Sequence, residues 1–323
     1  MRKARNMKKI ICLILLLLLC LPPLTACQKT ADTVRVWTLN GTTGFGMAPM
    51  IAAADKSTYT FTVEKDATVV RDAIINGTAD IAALPTNVAA ALYNATNGGV
   101  RVLALNTGSV LYAVGTDSTV TDLADLSGKT LFVPAQNPTF IVKALLERAG
   151  ITDVVLDSTT YPTPDALRDA VATELVTLAI LPEPMLTIAQ GAAAGEGRTL
   201  NTLLDLGAQW RKYFGEESLV QGCVVVRTAF LEKHPAAVAA FLKDYEDSIH
   251  YVNSYPELAA AHIQSVGIFA NAEIAANALP RCNIIFKSGS EMKAALHAFL
   301  ANMPLKAIGG KMPDDNFYYS ETK

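Results

Sequence analysis

Residues 40–44 read Asn-Gly-Thr-Thr-Gly, between a strand-like run at 33–39 and a string of small apolar residues. Such a loop offers free backbone N–H groups at a helix start and two small hydroxyls, Thr42 and Thr43, which suit a carboxylate, a sulfonate or a ring acceptor. Neither phosphate-binding fingerprint is present in this loop. A phosphate-cradling loop needs GxxxxGK[ST], yet no Lys or Arg follows until Lys56, and Gly41, Gly44 and Gly46 are spaced GxxGxG rather than GxGxxG. The same glycines would also serve to turn the chain, with Thr42 or Thr43 as a helix cap. A second loop, Gln136-Asn137-Pro138-Thr139, stands 97 residues further on and points to a ligand instead. Catalysis finds little support: His234, His250, His262 and His297 lie late in the chain with no HExxH pair, and no GxSxG elbow occurs. Cys223 sits in an apolar strand, a poor setting for a nucleophilic thiolate. The expectation is a binding protein without catalytic residues, metal or cofactor.

The two loops belong to a longer echo. RDAIINGTADIAALPT begins at Arg71 and RDAVATELVTLAILPE at Arg168, and each reaches Leu-Pro at the same distance. The offset of 97 also carries Asn40 onto Asn137 and Thr42 onto Thr139 without a gap, so two segments share one plan. In the first copy the pattern predicts strands over 33–39, 59–64, 81–84 and 100–105. It predicts helices over 46–54, 69–76 and 88–96, the last capped by Thr86. In the second it predicts strands over 130–133, 154–160 and 177–181, with helices over 141–149 and 166–174. Short apolar strands alternating with helices imply sheets covered on both faces, and these bind ligands beyond the carboxyl ends of their strands.

After residue 220 the pattern changes to a strand at 223–227 and helices over 235–251, 256–266, 272–279 and 290–301. Two similar units, with the chain returning to the first, predict two lobes joined by crossings near Tyr112 and Gln221, a clamp that closes over its ligand. The domain expectation is lobe 1 from 33–111 and 222–323, and lobe 2 from 112–221.

The first 26 residues differ from the rest. A basic start and an unbroken apolar run over 10–21, too short to span a bilayer, read as an export signal ending in Leu24-Thr25-Ala26-Cys27. Without the five basic residues of that leader, the 27 Lys and Arg fall to 22 against 30 Asp and Glu, a net of −8. No basic patch survives, which excludes nucleic acid as a partner. In the 297 residues after the leader, Cys223 and Cys282 are left either to pair or to stand as separate buried thiols, and both readings stay open.

The lipobox-like LTAC, the NGTTGFGM loop, GTADIAALPTN over 77–87 and Leu181-Pro182-Glu183-Pro184 together resemble the substrate-binding lipoproteins of ABC importers, in the branch that takes nitrate, sulfonates, taurine and the thiamine pyrimidine. The resemblance runs from about Val34 to the end. It implies an α/β, two-lobed periplasmic-binding-protein fold of the second type, with two parallel or mixed sheets flanked by helices and a cleft between. It further implies lipid on Cys27, anchorage outside the cell membrane, a permease as partner, a small-molecule solute and a monomer. A sensor in place of the permease, or a pyrimidine-metabolising enzyme on the same fold, are the alternatives.

The switch-point rule then nominates Asn40, Gly41, Thr42, Thr43, Thr86, Asn87, Asn106 and Thr107 from the first lobe, and Gln136, Asn137, Thr139 and Glu183 from the second. Glu183 is the only acid among them and no basic residue accompanies it in the sequence. A lone carboxylate in a closed cleft repels an anion and suits an amino-bearing ring, with Trp210, Tyr213 and Phe214 as candidates to stack on it. Glu183 also reads as a helix-terminal acid turned away from the cleft, and Trp210 as ordinary packing.

Overall fold

The computed structural model describes residues 33–116, 118–215 and 218–320. The leader and Cys27 lie outside them. The chain begins with β1 (Val34–Leu39), α1 (Thr42–Phe45), α2 (Ala48–Ala53), β2 (Tyr59–Glu64), α3 (Ala67–Ile75), β3 (Ile81–Pro85), α4 (Thr86–Ala95) and β4 (Val100–Thr107). It continues with β5 (Leu111–Gly115), β6 (Thr130–Phe132), α5 (Asn137–Ala149), β7 (Val155–Asp157), α6 (Pro164–Ala172), β8 (Leu178–Pro182), α7 (Met185–Gly195), β9 (Asn201–Asp205) and α8 (Leu206–Phe214). The last third holds β10 (Gly222–Arg227), α9 (Thr228–Lys233), α10 (Pro235–Ser254), α11 (Pro256–Ser265), α12 (Ala272–Ala278), β11 (Ile284–Ser288) and α13 (Gly289–Ala301).

The strands form two mixed sheets, in the orders β11-β4-β10-β3-β1-β2 and β7-β6-β8-β5-β9. In the first, β1 runs parallel to β2 and β3, while β10 lies antiparallel between β3 and β4. In the second, β6 runs parallel to β7 and β8, while β5 lies antiparallel between β8 and β9. The sheets therefore share one plan, with an exchange at the fourth strand. Strand β5 leaves the first sheet to enter the second, and β10 makes the return journey, placing Cys223 opposite Leu84.

The 97-residue echo is structural down to single hydrogen bonds. Asp66 caps α3 by accepting from Thr68 N at 2.7 Å, and Thr163, 97 positions on, caps α6 by accepting from Ala166 N at 3.2 Å. The two helices end alike, through Ala79 N to Ala73 O and Val176 N to Ala170 O. Gly77 turns the first exit with φ 77°, and Glu174 takes the same left-handed turn with φ 60°, where a side chain is disfavoured. The matched Arg-Asp pairs form adjacent surface ion pairs, worth little energetically.

Packing follows the strand period of two. Along β10, Cys223 and Val225 face one apolar cluster, shared with Leu84, Leu105, Trp210 and Phe299, while Val224 and Val226 face another, with Phe45, Phe241 and Tyr245. A third cluster, around Val114, Leu167, Leu181 and Leu186, covers the second sheet. Cys223 and Cys282 are both free and buried, in different clusters, which resolves the choice between pairing and separation. Burial pushes both thiols above their ordinary range. Neither is expected to react with iodoacetamide at neutral pH until the chain is unfolded, and mass spectrometry showing rapid labelling at Cys223 or Cys282 in the native protein would contradict this.

Several expectations are corrected. The helix expected over 46–54 is present over 48–53, but a further short helix over 42–45 precedes it, and within it the backbone at Gly44 approaches the Leu39 carbonyl so closely that a Cβ would lie 2.0 Å from its oxygen. Thr86 is the first residue of α4 rather than its cap. Pro85 stands at that position, and the Thr86 hydroxyl donates to Val220 O at 2.9 Å. Asn106 and Thr107 end β4 rather than follow it. Strands β5, β9 and β11 were not anticipated as strands.

Candidate functional site

The carboxyl ends of β1, β3 and β4 gather the residues nominated on the first sheet. Asn40 is exposed and its N–H continues the sheet, donating to Glu64 O at 2.8 Å. Gly41 occupies the N-cap of α1 with φ 75°, and no side chain caps the helix, so neither Thr42 nor Thr43 serves in that role. Asn106 braces this loop: its Nδ2 donates to Thr43 O at 3.1 Å, while its Oδ1 accepts from Thr107 at 3.0 Å. Both residues are buried. Asn87, in the first turn of α4, is also buried, and its Oδ1 has no hydrogen-bond partner.

On the second sheet, Gln136, Asn137 and Thr139 come together where α5 begins. Gln136 is exposed, with φ 67°, at the N-cap. Thr139 is buried and donates to Pro134 O at 2.8 Å, which ties down the turn. The Oδ1 of Asn137 is buried without a partner, as in Asn87. A buried acceptor left unmatched is costly, so each of these oxygens suits a donor supplied from outside the chain. No hydrogen bond among the described residues joins 40–43 to 136–139.

What the structure does bring together is Thr86 and Glu183, through a knot at the two crossings. Thr86 N donates to Gln221 O at 3.1 Å, Gln221 N donates to Thr107 O at 2.9 Å, and Glu183 N donates to Val110 O at 2.9 Å. The Gln221 side chain closes the knot by accepting from Val110 N at 3.0 Å. A single glutamine on the second crossing thus hydrogen-bonds both the first crossing and the start of α4.

Glu183 follows its second sequence reading, an acid at a helix start, but not the expectation that it lacks a basic companion. Its side chain is fully buried, and it does have a basic companion: Arg281, between α12 and β11, donates through Nε to Glu183 Oε1. The Arg281 Nη2 reaches Thr187 Oγ1 at 2.8 Å, and Arg281 O accepts from Tyr112 OH at 3.0 Å. The other carboxylate oxygen accepts from Thr187 N at 3.2 Å and from its hydroxyl at 2.8 Å, in the first turn of α7. The carboxylate is saturated by the protein itself. Trp210 is likewise internal: Nε1 donates to Ser218 Oγ at 2.9 Å, and the ring stacks on Phe214 at 4.1 Å and meets Phe299 at 5.8 Å. Tyr213 lies under Lys212, with its carbonyl accepting from Arg148. Arg281, Thr187 and Gln221 were missed as contributors by sequence reasoning; only Gln221 had a signal, as the marker of the second crossing.

Two cavities lie apart from the nominated loop residues, the second of them against Phe214. One, of about 570 Å³, runs between α2 and helices α10 and α11, past Tyr59, Asp244 and Tyr251. The other, of about 640 Å³, lies between α5 and the turn after α13, past Phe140, Arg148, Phe214 and Met303.

Against known proteins, residues 60–259 match the profile described as NMT1/THI5 like. The chain belongs to the NMT1/THI5-like family. No curated protein matches its sequence. Among solved structures, this family member is similar to an ABC transporter protein from Parabacteroides distasonis, at 24% identity over 90% of this chain and 100% of that one, with a TM-score of 0.76. It is also similar to the periplasmic aliphatic sulphonate binding protein SsuA from Escherichia coli, at 16% identity over 90% and 93%, with a TM-score of 0.71. A Candida albicans gene product described as having the generic periplasmic binding protein fold matches at 15% identity over 88% and 92%, with a TM-score of 0.54. The NMT1/THI5-like chain has that fold, two mixed sheets flanked by helices, and the resemblance read from its motifs is met in family and in architecture.

Proposed function

We propose that this chain is an extracytoplasmic solute-binding protein that captures a small organic solute between its two sheets and delivers it to an ABC permease. It binds and does not catalyse. The observation that carries the reading is the exchange of β5 and β10, which leaves two like units whose sheets are linked by crossings knotted at Gln221, with their strand ends as the place for a ligand. The lobes follow the exchange, with 33–111 and 222–323 as one and 112–221 as the other. Lipid on Cys27 holds a monomer at the outer face of the membrane. An open form takes up solute, and closure adds the contacts of the second lobe.

An aminopyrimidine or a similar heterocycle is the solute this reading favours. Its support now comes from the unmatched oxygens of Asn87 and Asn137, which suit N–H donors, rather than from Glu183. A sulfonate is the second reading, favoured by the fold shared with SsuA and by the presence of Arg281 beside the crossings.

The test is a thermal-shift screen of the refolded protein against pyrimidines, sulfonates, amino acids and nitrate. A ligand at a hundred times its Kd stabilises by about 2.7 kcal/mol. Replacing Asn137 or Thr42 with tryptophan is expected to abolish the ligand-induced shift while leaving the ligand-free melting temperature within a few degrees. An undiminished shift in both variants would remove the site from the cleft.

A further inference from the structure

At the crossings the structure encloses a separate cavity of about 150 Å³, lined by Gly108 and Ser109 of the first crossing, Gly207 and Arg211 of α8, and Asn283 and Lys287 beside or within β11, among others. Its lining includes two cations and no carboxylate. Asp205, which precedes this turn and lies beside the lining residue Gly207, is matched by the chain itself, accepting from Gly207 N at 2.8 Å and Ala208 N at 3.3 Å to cap α8.

A second observation points to a ligand. Ser109 is 8% exposed, and its hydroxyl has no hydrogen-bond partner. A buried hydroxyl is ordinarily matched, so a partner from outside the chain is indicated. The walls have been kept close: a Cβ at Gly207 would lie 2.9 Å from Ser109 Oγ, and one at Gly108 would lie 2.4 Å from Asn283 Nδ2. A cavity of about 150 Å³ has room for a small polyatomic anion together with water.

We propose that this cavity is a site for a tetrahedral oxyanion, held by Lys287 of the first sheet, Arg211 beside the second, and the Ser109 hydroxyl between them. An anion here contacts both units next to the crossings, so its occupancy biases their relative arrangement whatever the cleft itself binds. The chemistry is shared by free sulfate or phosphate and by the head group of a sulfonate solute extending from the cleft.

Calorimetric titration at constant ionic strength separates these sources, with inorganic sulfate and methanesulfonate as probes. The wild-type chain is expected to bind one sulfate, Lys287→Met and Ser109→Ala to weaken it at least tenfold, and Asn137→Trp to leave it unchanged. If Lys287→Met does not fold, Ser109→Ala and Arg211→Gln carry the test. The proposal fails if the wild type gives no saturable sulfate isotherm or if the cavity variants titrate like the wild type. It also fails if Asn137→Trp abolishes the binding of both probes, which would place the anion in the cleft. A cleft that takes no organic solute would leave the sulfate isotherm intact, so this inference and the proposed function fail separately.

Discussion

Replacing Arg281 with methionine is expected to destabilise the folded chain by about 3–5 kcal/mol, because it strands a buried carboxylate without its counter-ion. The Glu183 side chain is fully buried, whereas Arg281 is 37% exposed, so Glu183 is the partner that suffers from separation. For a chain of this size the loss corresponds to a fall in melting temperature on the order of 10 °C. The double variant Arg281→Met with Glu183→Gln is expected to recover most of it, since a neutral amide can still accept from Thr187 and no charge is left behind. Urea unfolding of the two variants measures both quantities. A loss below about 1 kcal/mol for the single variant would mean that water reaches Glu183 and the pair is incidental. The pair also ties the segment before β11 to the end of β8, so its loss is expected to change the response to solute as well as stability.

The second large effect belongs to Asp80, at the opposite end of the first sheet from the nominated loops. Its carboxylate is 3% exposed and accepts from Arg35 Nε at 2.9 Å, from Arg35 Nη2 at 2.6 Å and from Arg227 Nη2 at 2.9 Å, as well as from the Arg35 backbone N–H. One side chain thus joins β1 and β10 at the start of β3. Asp80→Ala is expected to cost about 3 kcal/mol, near the low end for a broken buried pair because both arginines can turn to water. Burial alone would raise the Asp80 carboxyl, but its hydrogen bonds to Arg35 and Arg227 outweigh burial and hold it below the usual carboxylate range. A group depressed on folding contributes its stability above the unfolded value of about 3.9 and loses it as pH falls through the folded value. The stability difference between wild type and Asp80→Asn is therefore expected to be constant from pH 5 to 8 and to shrink below about pH 4. A difference that grows on acidification would reverse the sign of this account.

The repeat was legible because its signals are local. Arg71-Asp72 and Arg168-Asp169 mark the same position on α3 and α6, and Leu-Pro closes β3 and β8, so a fixed offset in sequence became a fixed correspondence in space. The return of β10 to the first sheet was legible from the change of pattern after residue 220. Strand β5 was not: Leu111–Gly115 is buried along its whole length and carries no alternation to separate it from a crossing segment. The partnership of Arg281 with Glu183 spans 98 positions and leaves no periodic trace. Trp210, Tyr213 and Phe214 showed why an aromatic run is ambiguous, since the same residue types serve a stacking platform and a core, and here Trp210 is enclosed between Phe214 and Phe299.

The strand exchange also dictates an order of assembly. All five strands of the second sheet fall between residues 111 and 205, whereas the first sheet draws on the chain from 34 to 288. As the polypeptide emerges amino end first, the later sheet has every strand it needs while β3 and β4 still lack the neighbour that separates them. Until residue 227 arrives, their facing edges are open templates for mispairing, and closing them is a long-range event of the slow kind. Refolding is accordingly expected to be limited by the entry of β10, and that interval is when a holding chaperone has most to protect.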